Sequence, residues 1–293
     1  MKLSTPLTAP LLLVCLTPLA LTLGCAVKPA ESPSAITLSG RLHGGQQPVS
    51  GATIELFAAN GGFKPSSLRI MNPTTSDSQG NFSLTGLYTC PFPDSEVYLV
   101  AFGGDPGLGK NNPNIGLMAA LGPCGNLATS NFIWVNEVTT VASIEALSSY
   151  MYAYNSLGPD VGDPTQFTTQ FALVNQYVNI ATGSSPGPAL PAGYQVSTAM
   201  LYTLSNVLAS CINSPGGVAG DGSACGQLFT LTTQASVNGG QSPTDTLAAM
   251  VQIAHYPTNN VSAIFNLATA TGPFQPTLAT APGAFALSIQ PVP

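Results

Sequence analysis

"FIWVNEVTTVASIEALSSY", residues 132–150, carries the only tryptophan of the chain, and its reading decides how the rest divides. Upstream of Val135 apolar and polar residues alternate; downstream the apolar ones recur about every 3.6 residues, the periods of strand and helix. The Asn136-Glu137 pair at the change of period admits two readings. In barrel glycosidases such a pair at a strand end supplies the catalytic acid. A barrel, however, alternates strands and helices over roughly 250 residues, whereas here strands come first and helices after. The helix reading accounts for more residues: Asn136 is a good N-cap, and Glu137 in the first turn favours the positive end of the helix dipole. Val138, Val141, Ala142 and Glu145 fall on one face and Ile144, Leu147 and Met151 on another, so a buried helix is expected. Glu145 then needs a partner or a place at the rim. The run 132–135 closes a sheet, with Trp134 packing toward the helices.

Working outward toward the N-terminus, "AITLSGRLHGG", "GATIELFAANGG", "GNFSLTG", "EVYLVAFGG" and "IGLMAALGPC" alternate as strands between Gly-, Pro- and Asn-rich turns. "PVSGA" turns the chain between the first two strands, and "DSQGNF" makes a hairpin turn with Gly80 at positive φ and Phe82 pointing inward. On these two stretches the segment resembles a carboxypeptidase-regulatory-like, transthyretin-like Greek-key β domain. That resemblance implies a structural or adhesive module rather than a catalyst.

Beyond residue 135, helices are expected over 136–152, 166–182, 198–213, 242–255 and 260–268. "SLGPDVGDP", "GSSPGPALPAG" and "SPGGVAGDGSACG" break them as loops. "SPTDTLAAMVQIAHYP" opens on a Ser/Thr/Asp cap cluster and stops at Pro257. "NEVTTVA", "LASCINS", "GSACGQLF", "PTDTLAA" and "FQPTL" resemble exported bacterial (lipo)proteins in which the β domain and a helical region often precede an NHL-type β-propeller. No blade repeat is visible here, so the propeller's role is not expected of this chain. The expected fold class is α+β: an N-terminal Greek-key β-sandwich followed by an all-helical domain. The expected spans are a signal peptide with a lipobox-like end at 1–25, a tether at 26–35, the sandwich at 36–135, the helical domain at 136–272 and a Pro-rich C-terminal tail at 273–293.

Composition narrows the function. Hydrophobic residues are 44% but charged residues only 6%, against roughly 25% in average soluble proteins. The surface is therefore expected to be neutral and rich in hydroxyls and amides. Six Lys plus Arg in a chain of net charge −6 form no phosphate-tracking stripe, which argues against nucleic acid. "MKLSTPLTAPLLLVCLTPLALTLGC" reads as an export leader whose "LTLGC" resembles a bacterial lipobox, with Cys25 the lipidated residue; ordinary secretion is the alternative. Such a chain is anchored to a membrane rather than spanning it. Cys90, Cys124, Cys211 and Cys225 remain, an even count that suggests two disulfides in an exported protein. Three pairings are open. The local one, Cys90 with Cys124 and Cys211 with Cys225, closes short loops, each stabilising by about 3 kcal/mol on the loop-entropy argument.

The search for chemistry is short. The two histidines, His43 and His255, form no metal pattern, and His255 suits a helix C-terminus. No Gly-x-Ser-x-Gly elbow or phosphate loop is present. Asp105 with Asn111, Asn112 and Asn114 offers oxygens for calcium but lacks EF-hand spacing. We therefore expect no catalytic residue, no metal and no cofactor, and single out Glu137, Glu145 and Asp105 as polar sites. The expected function is that of a non-enzymatic envelope lipoprotein or secreted protein acting in adhesion, glycan binding or protein assembly, with a protein or glycan partner. A groove lined by Tyr, Phe and Asn would favour the glycan. One alternative is a hydrolase of cell-wall or polysaccharide material, which needs two of Glu137, Glu145, Asp105 and Asp245 in one cleft. The other is a scaffold remnant of the propeller-bearing proteins.

Overall fold

The computed structural model describes residues 34–60, 66–129, 132–159, 164–234, 240–268 and 272–292. The expected leader, Cys25 and residues 26–33 of the expected tether lie outside the described residues, and residues 34 and 35 belong to the first strand. The chain is a mixed α/β protein with several sheets.

Strand β1 (Ser34–Gly44) buries Ile36, Leu38 and Leu42 and exposes Thr37 and Ser39, as its alternation requires. It pairs antiparallel with β2 (Gln47–Pro48) and β6 (Asn81–Tyr88), and parallel with β9 (Ile133–Val135). The turn before β6 is built as expected. Asp77 Oδ1 accepts from the N–H groups of Gln79 and Asn81, and Gly80 sits at φ +73°. A Cβ at Gly80 would run into the Leu42 carbonyl.

The second sheet centres on β3 (Thr53–Asn60). It is flanked by β4 (Ser66–Arg69) and β5 (Thr74–Thr75) on one side and β7 (Glu96–Phe102) on the other, with β8 (Gly116–Pro123) beyond β7. Val97 to Ala101 are buried at every position, so β7 is covered on both faces. Its alternation of Leu and Tyr distinguishes two interiors rather than interior from solvent.

Helix α1 (Glu137–Leu147) runs against β8 and is buried along its whole length except at Glu145. Asn136 caps it as expected: its side chain accepts from the Thr139 N–H, and the Thr139 hydroxyl accepts from the Asn136 N–H. The hydroxyls of this buried helix satisfy the free edge of β8. Thr140 Oγ1 accepts from the Met118 N–H at 2.9 Å, Ser143 Oγ from the Ala120 N–H at 3.0 Å, and Thr139 Oγ1 donates to the Met118 carbonyl at 2.9 Å. An edge strand inside a core would otherwise leave these groups unpaired.

Downstream come β10 (Met151–Ala153) and β11 (Ser156–Leu157), which pair as a hairpin, then α2 (Pro164–Tyr177), β12 (Tyr194–Val196), α3 (Thr198–Ile212), α4 (Ala224–Thr232), α5 (Thr246–His255), α6 (Val261–Phe265) and β13 (Ile289–Pro291). Four points depart from the sequence reading. The part after residue 135 is not purely helical, because β10–β11 and the antiparallel β12–β13 pair lie within it. The helix expected over 136–152 ends at Leu147 and passes through a 3-10 turn into β10. The Gly-rich loop leads directly into α4, capped by Ser223. Residues 272–292 lie along the helices: Phe285 is buried, its N–H donates to the Pro257 carbonyl, and the Leu278 N–H donates to Thr203 Oγ1.

One continuous apolar core joins strand residues such as Leu56 and Leu99 with helix residues such as Leu204 and Phe229. Cys90–Cys124 and Cys211–Cys225 are disulfide-bonded, the local pairing. The second bridge ties α3 to α4. Two disulfides fit an oxidising, exported environment, and among the described residues no helix is long and apolar enough to cross a membrane.

Candidate functional site

A concave pocket lies where the β10–β11 hairpin meets the start of α5. Its volume is about 310 Å³, and its lining includes Tyr152, Tyr154, Gln241, Ser242, Thr244, Asp245, Ala248 and Gln252. That size falls at the lower end of small-molecule sites.

Both walls are held from behind. The Tyr154 ring stands edge-on to Phe102 at 4.7 Å and to Phe57 at 6.1 Å, and its carbonyl accepts the Tyr98 hydroxyl at 2.7 Å. Tyr152 is 61% exposed. On the facing wall Asp245 is the α5 N-cap, its Oδ1 accepting from the Ala248 N–H at 2.8 Å. Burial raises its carboxyl above the ordinary aspartate range, opposed by the Ala248 and Leu247 N–H groups. Thr246 Oγ1 accepts from the Gly116 N–H and donates to the Gly116 carbonyl, which bolts α5 to β8. Asn114 Nδ2 donates to the Thr244 carbonyl. Gln252 Oε1 is buried and has no hydrogen-bond partner.

The acids singled out from sequence occupy separate surroundings. Glu137 is fully buried in the first turn of α1; its Oε1 accepts from the Gly45 N–H at 2.8 Å and its Oε2 has no partner. Burial pushes its carboxyl up to about 8. Glu145 Oε2 accepts from the Leu287 N–H at 3.2 Å, while Oε1 is buried without a partner. Burial raises this carboxyl to about 7, and the same carboxyl adds to the burial that raises the Tyr177 phenol. The inner face of α1 therefore meets the C-terminal segment at Glu145. Asp105 Oδ1 accepts from the Gly107 and Leu108 N–H groups. Nearby Asn111 and Asn112 likewise spend their side chains on backbone groups, so these oxygens brace a loop rather than converge on a cation. Only Asp245 of the four acids lines the pocket.

Sequence reasoning passed over Glu96, which is buried at the start of β7 with neither carboxylate oxygen in a hydrogen bond of good geometry. Burial raises it to about 7, softened by the Thr168 hydroxyl and reinforced by Asp94. The pocket residues Tyr152, Tyr154, Gln241 and Gln252 were also passed over. The legible signal is "YAY" at 152–154, two tyrosines close together at the end of β10 and in the turn after it.

The histidines are structural. His255 Nε2 lies 2.7 Å from the Ser148 carbonyl, linking the end of α5 to the end of α1. His43 stands edge-on to Trp134 at 4.8 Å, and burial, then Arg41, lowers its pKa. The half-buried Trp134 ring lies under the Arg41 guanidinium, and the Trp134 backbone N–H donates to the Ile180 carbonyl just beyond α2. Among the described residues no cluster of three or more His, Cys, Asp or Glu could hold a metal ion. No family model matches the chain, and neither the curated proteins nor the solved structures contain a match.

Proposed function

We propose that this is an exported cell-envelope protein that binds glycans in the pocket between Tyr152–Tyr154 and α5. One observation carries the reading: two tyrosines line a pocket of small-ligand size together with amide, hydroxyl and carboxyl groups. A pyranose ring presents an apolar C–H face and a rim of hydroxyls. A tyrosine offers an apolar body with a polar tip, and glutamine offers a planar donor–acceptor pair. The hydroxyl- and amide-rich composition suits the same ligand.

The rest of the chain serves as the mount. On this reading the strands up to Val135 form a Greek-key module of the carboxypeptidase-regulatory-like kind. Lipidated Cys25 fixes the protein to the membrane, and the segment after it holds the pocket away from the surface. The role is adhesive or assembling rather than catalytic. A hydrolase is not favoured by this pocket, whose one acid, Asp245, already caps a helix.

Applying the processed protein to a glycan array, with a pull-down from envelope extract alongside, tests the proposal. Retention of a defined set of glycans, unaltered after incubation, is expected. A blank array with a protein captured through another face would replace the glycan by a protein partner. Cleavage of the printed glycans would restore the hydrolase. Mass spectrometry of the mature N-terminus tests the anchor separately, with an acylated Cys25 expected.

A further inference from the structure

Within the glycan reading, on which this inference rests, the pocket's polar groups point to one class of saccharide. Gln252 lines the pocket from α5, yet its Oε1 is buried and accepts no hydrogen bond from the described residues. An amide oxygen withdrawn from water without a donor is unfavourable, and buried amides are ordinarily paired. The terminal torsion of glutamine is broad. Turning the amide toward the pocket therefore sacrifices no bond at Oε1 and gains one when a donor arrives.

Three of the other polar groups are already engaged within the fold. Asp245 Oδ1 holds the Ala248 N–H, Ser242 Oγ accepts the Thr233 hydroxyl, and the Thr244 carbonyl holds Asn114 Nδ2. Among the described residues lining the pocket there is no Lys, Arg or His. A uronate, sulfate or phosphate would enter beside a carboxyl with no cation to pair it, the arrangement that desolvation penalises most.

We infer that the pocket selects hydroxyl-rich saccharides that carry no anionic group and that Gln252 is the residue that reads a ligand hydroxyl. Asp245 stays occupied as a helix cap, Tyr152 covers the apolar face of the sugar, and the glutamine oxygen fixes its orientation.

Calorimetric titration of the full processed protein tests this with neutral hexose and N-acetylhexosamine oligosaccharides and with matched oligosaccharides bearing uronate or sulfate. Neutral oligosaccharides are expected to bind, and the charged counterparts about tenfold or more weaker. Gln252→Met keeps the bulk and removes the acceptor; it is expected to weaken neutral binding about five- to tenfold with unchanged thermal stability. Tyr152→Ala, at an exposed position, is expected to weaken every oligosaccharide that binds. Equal or tighter binding of a uronate- or sulfate-bearing oligosaccharide, or unaltered affinity in Gln252→Met, would overturn the inference while leaving the glycan reading in place. If no oligosaccharide of either kind binds, the glycan reading falls and the inference with it.

Discussion

Glu137 begins a buried helix, with one oxygen on the Gly45 N–H and the other unpaired. A carboxylate there is poorly solvated, so the acid is held neutral well above its ordinary range. Glu96 and Glu145 share the condition, at about 7 each against about 8 for Glu137, all from a reference value of 4.5. The sign follows from proton counting. Between 4.5 and these raised values the folded chain holds protons that the unfolded chain has released, so stability falls as pH rises through that window. His43 opposes this, since its lowered pKa removes stability as pH falls through its ordinary 6.5, but one histidine stands against three acids. The melting temperature is therefore expected to be higher at pH 5.5 than at pH 8.5 by scanning calorimetry. Glu137→Gln keeps an acceptor for Gly45 and carries no charge; it is expected to raise the melting temperature at pH 8.5 and leave it nearly unchanged at pH 5. A protein that gains stability from pH 5.5 to 8.5 would contradict this account of the acids. Glu145 was conspicuous in the sequence as an acid on an inner face. Its partner was not legible, because Leu287 is 142 residues away. Glu96 gave no signal, since a charge at a strand's first position normally faces water.

At the scale of elements, α1 completes a sheet edge with its own side chains. Thr139, Thr140 and Ser143 are fully buried, which apolar periodicity alone does not explain; each bonds the backbone of β8. Thr140→Val keeps the shape and strands the Met118 N–H, so a loss of about 1–3 kcal/mol is expected in urea unfolding, more than for the same change at an exposed threonine such as Thr75. A neutral outcome would mean that the edge finds another acceptor. The Cys211–Cys225 bridge closes a segment of 14 residues. Replacing both cysteines by serine is expected to cost roughly 3 kcal/mol, with α4 the first element to lose amide protection in hydrogen exchange. The strands of the first half were legible because period-two alternation and Gly/Asn turns are local signals. The pairs β10–β11 and β12–β13 were not, since two- or three-residue strands exist only through their partners. Helix α4 was hidden by the glycines that lead into it. The pocket was hidden for a related reason: its walls come from residues 152–154 and 241–252, which only the fold brings together.

Over the whole molecule, the shortage of charge sets the behaviour. Among the described residues the one salt bridge is Arg69 with Glu55 at 2.6 Å, on the sheet surface and outside the pocket lining. Exposed pairs of this kind contribute little and are screened by salt. Ligand binding is accordingly expected to change less than about twofold in affinity between low salt and on the order of 0.5 M; a steep fall would mean that charges carry recognition. The even cysteine count made the disulfides legible, but composition could not say where on the surface a ligand would sit. The central claim is that a saccharide occupies the Tyr152–Tyr154 pocket. Two-dimensional amide NMR of the processed protein, titrated with a neutral oligosaccharide that it retains, tests the claim most directly. The account predicts shifts concentrated at residues 152–154 and 241–252, with the Gln252 side-chain amide among the largest. Shifts confined to another face, such as that of Arg41 and Trp134, would contradict it.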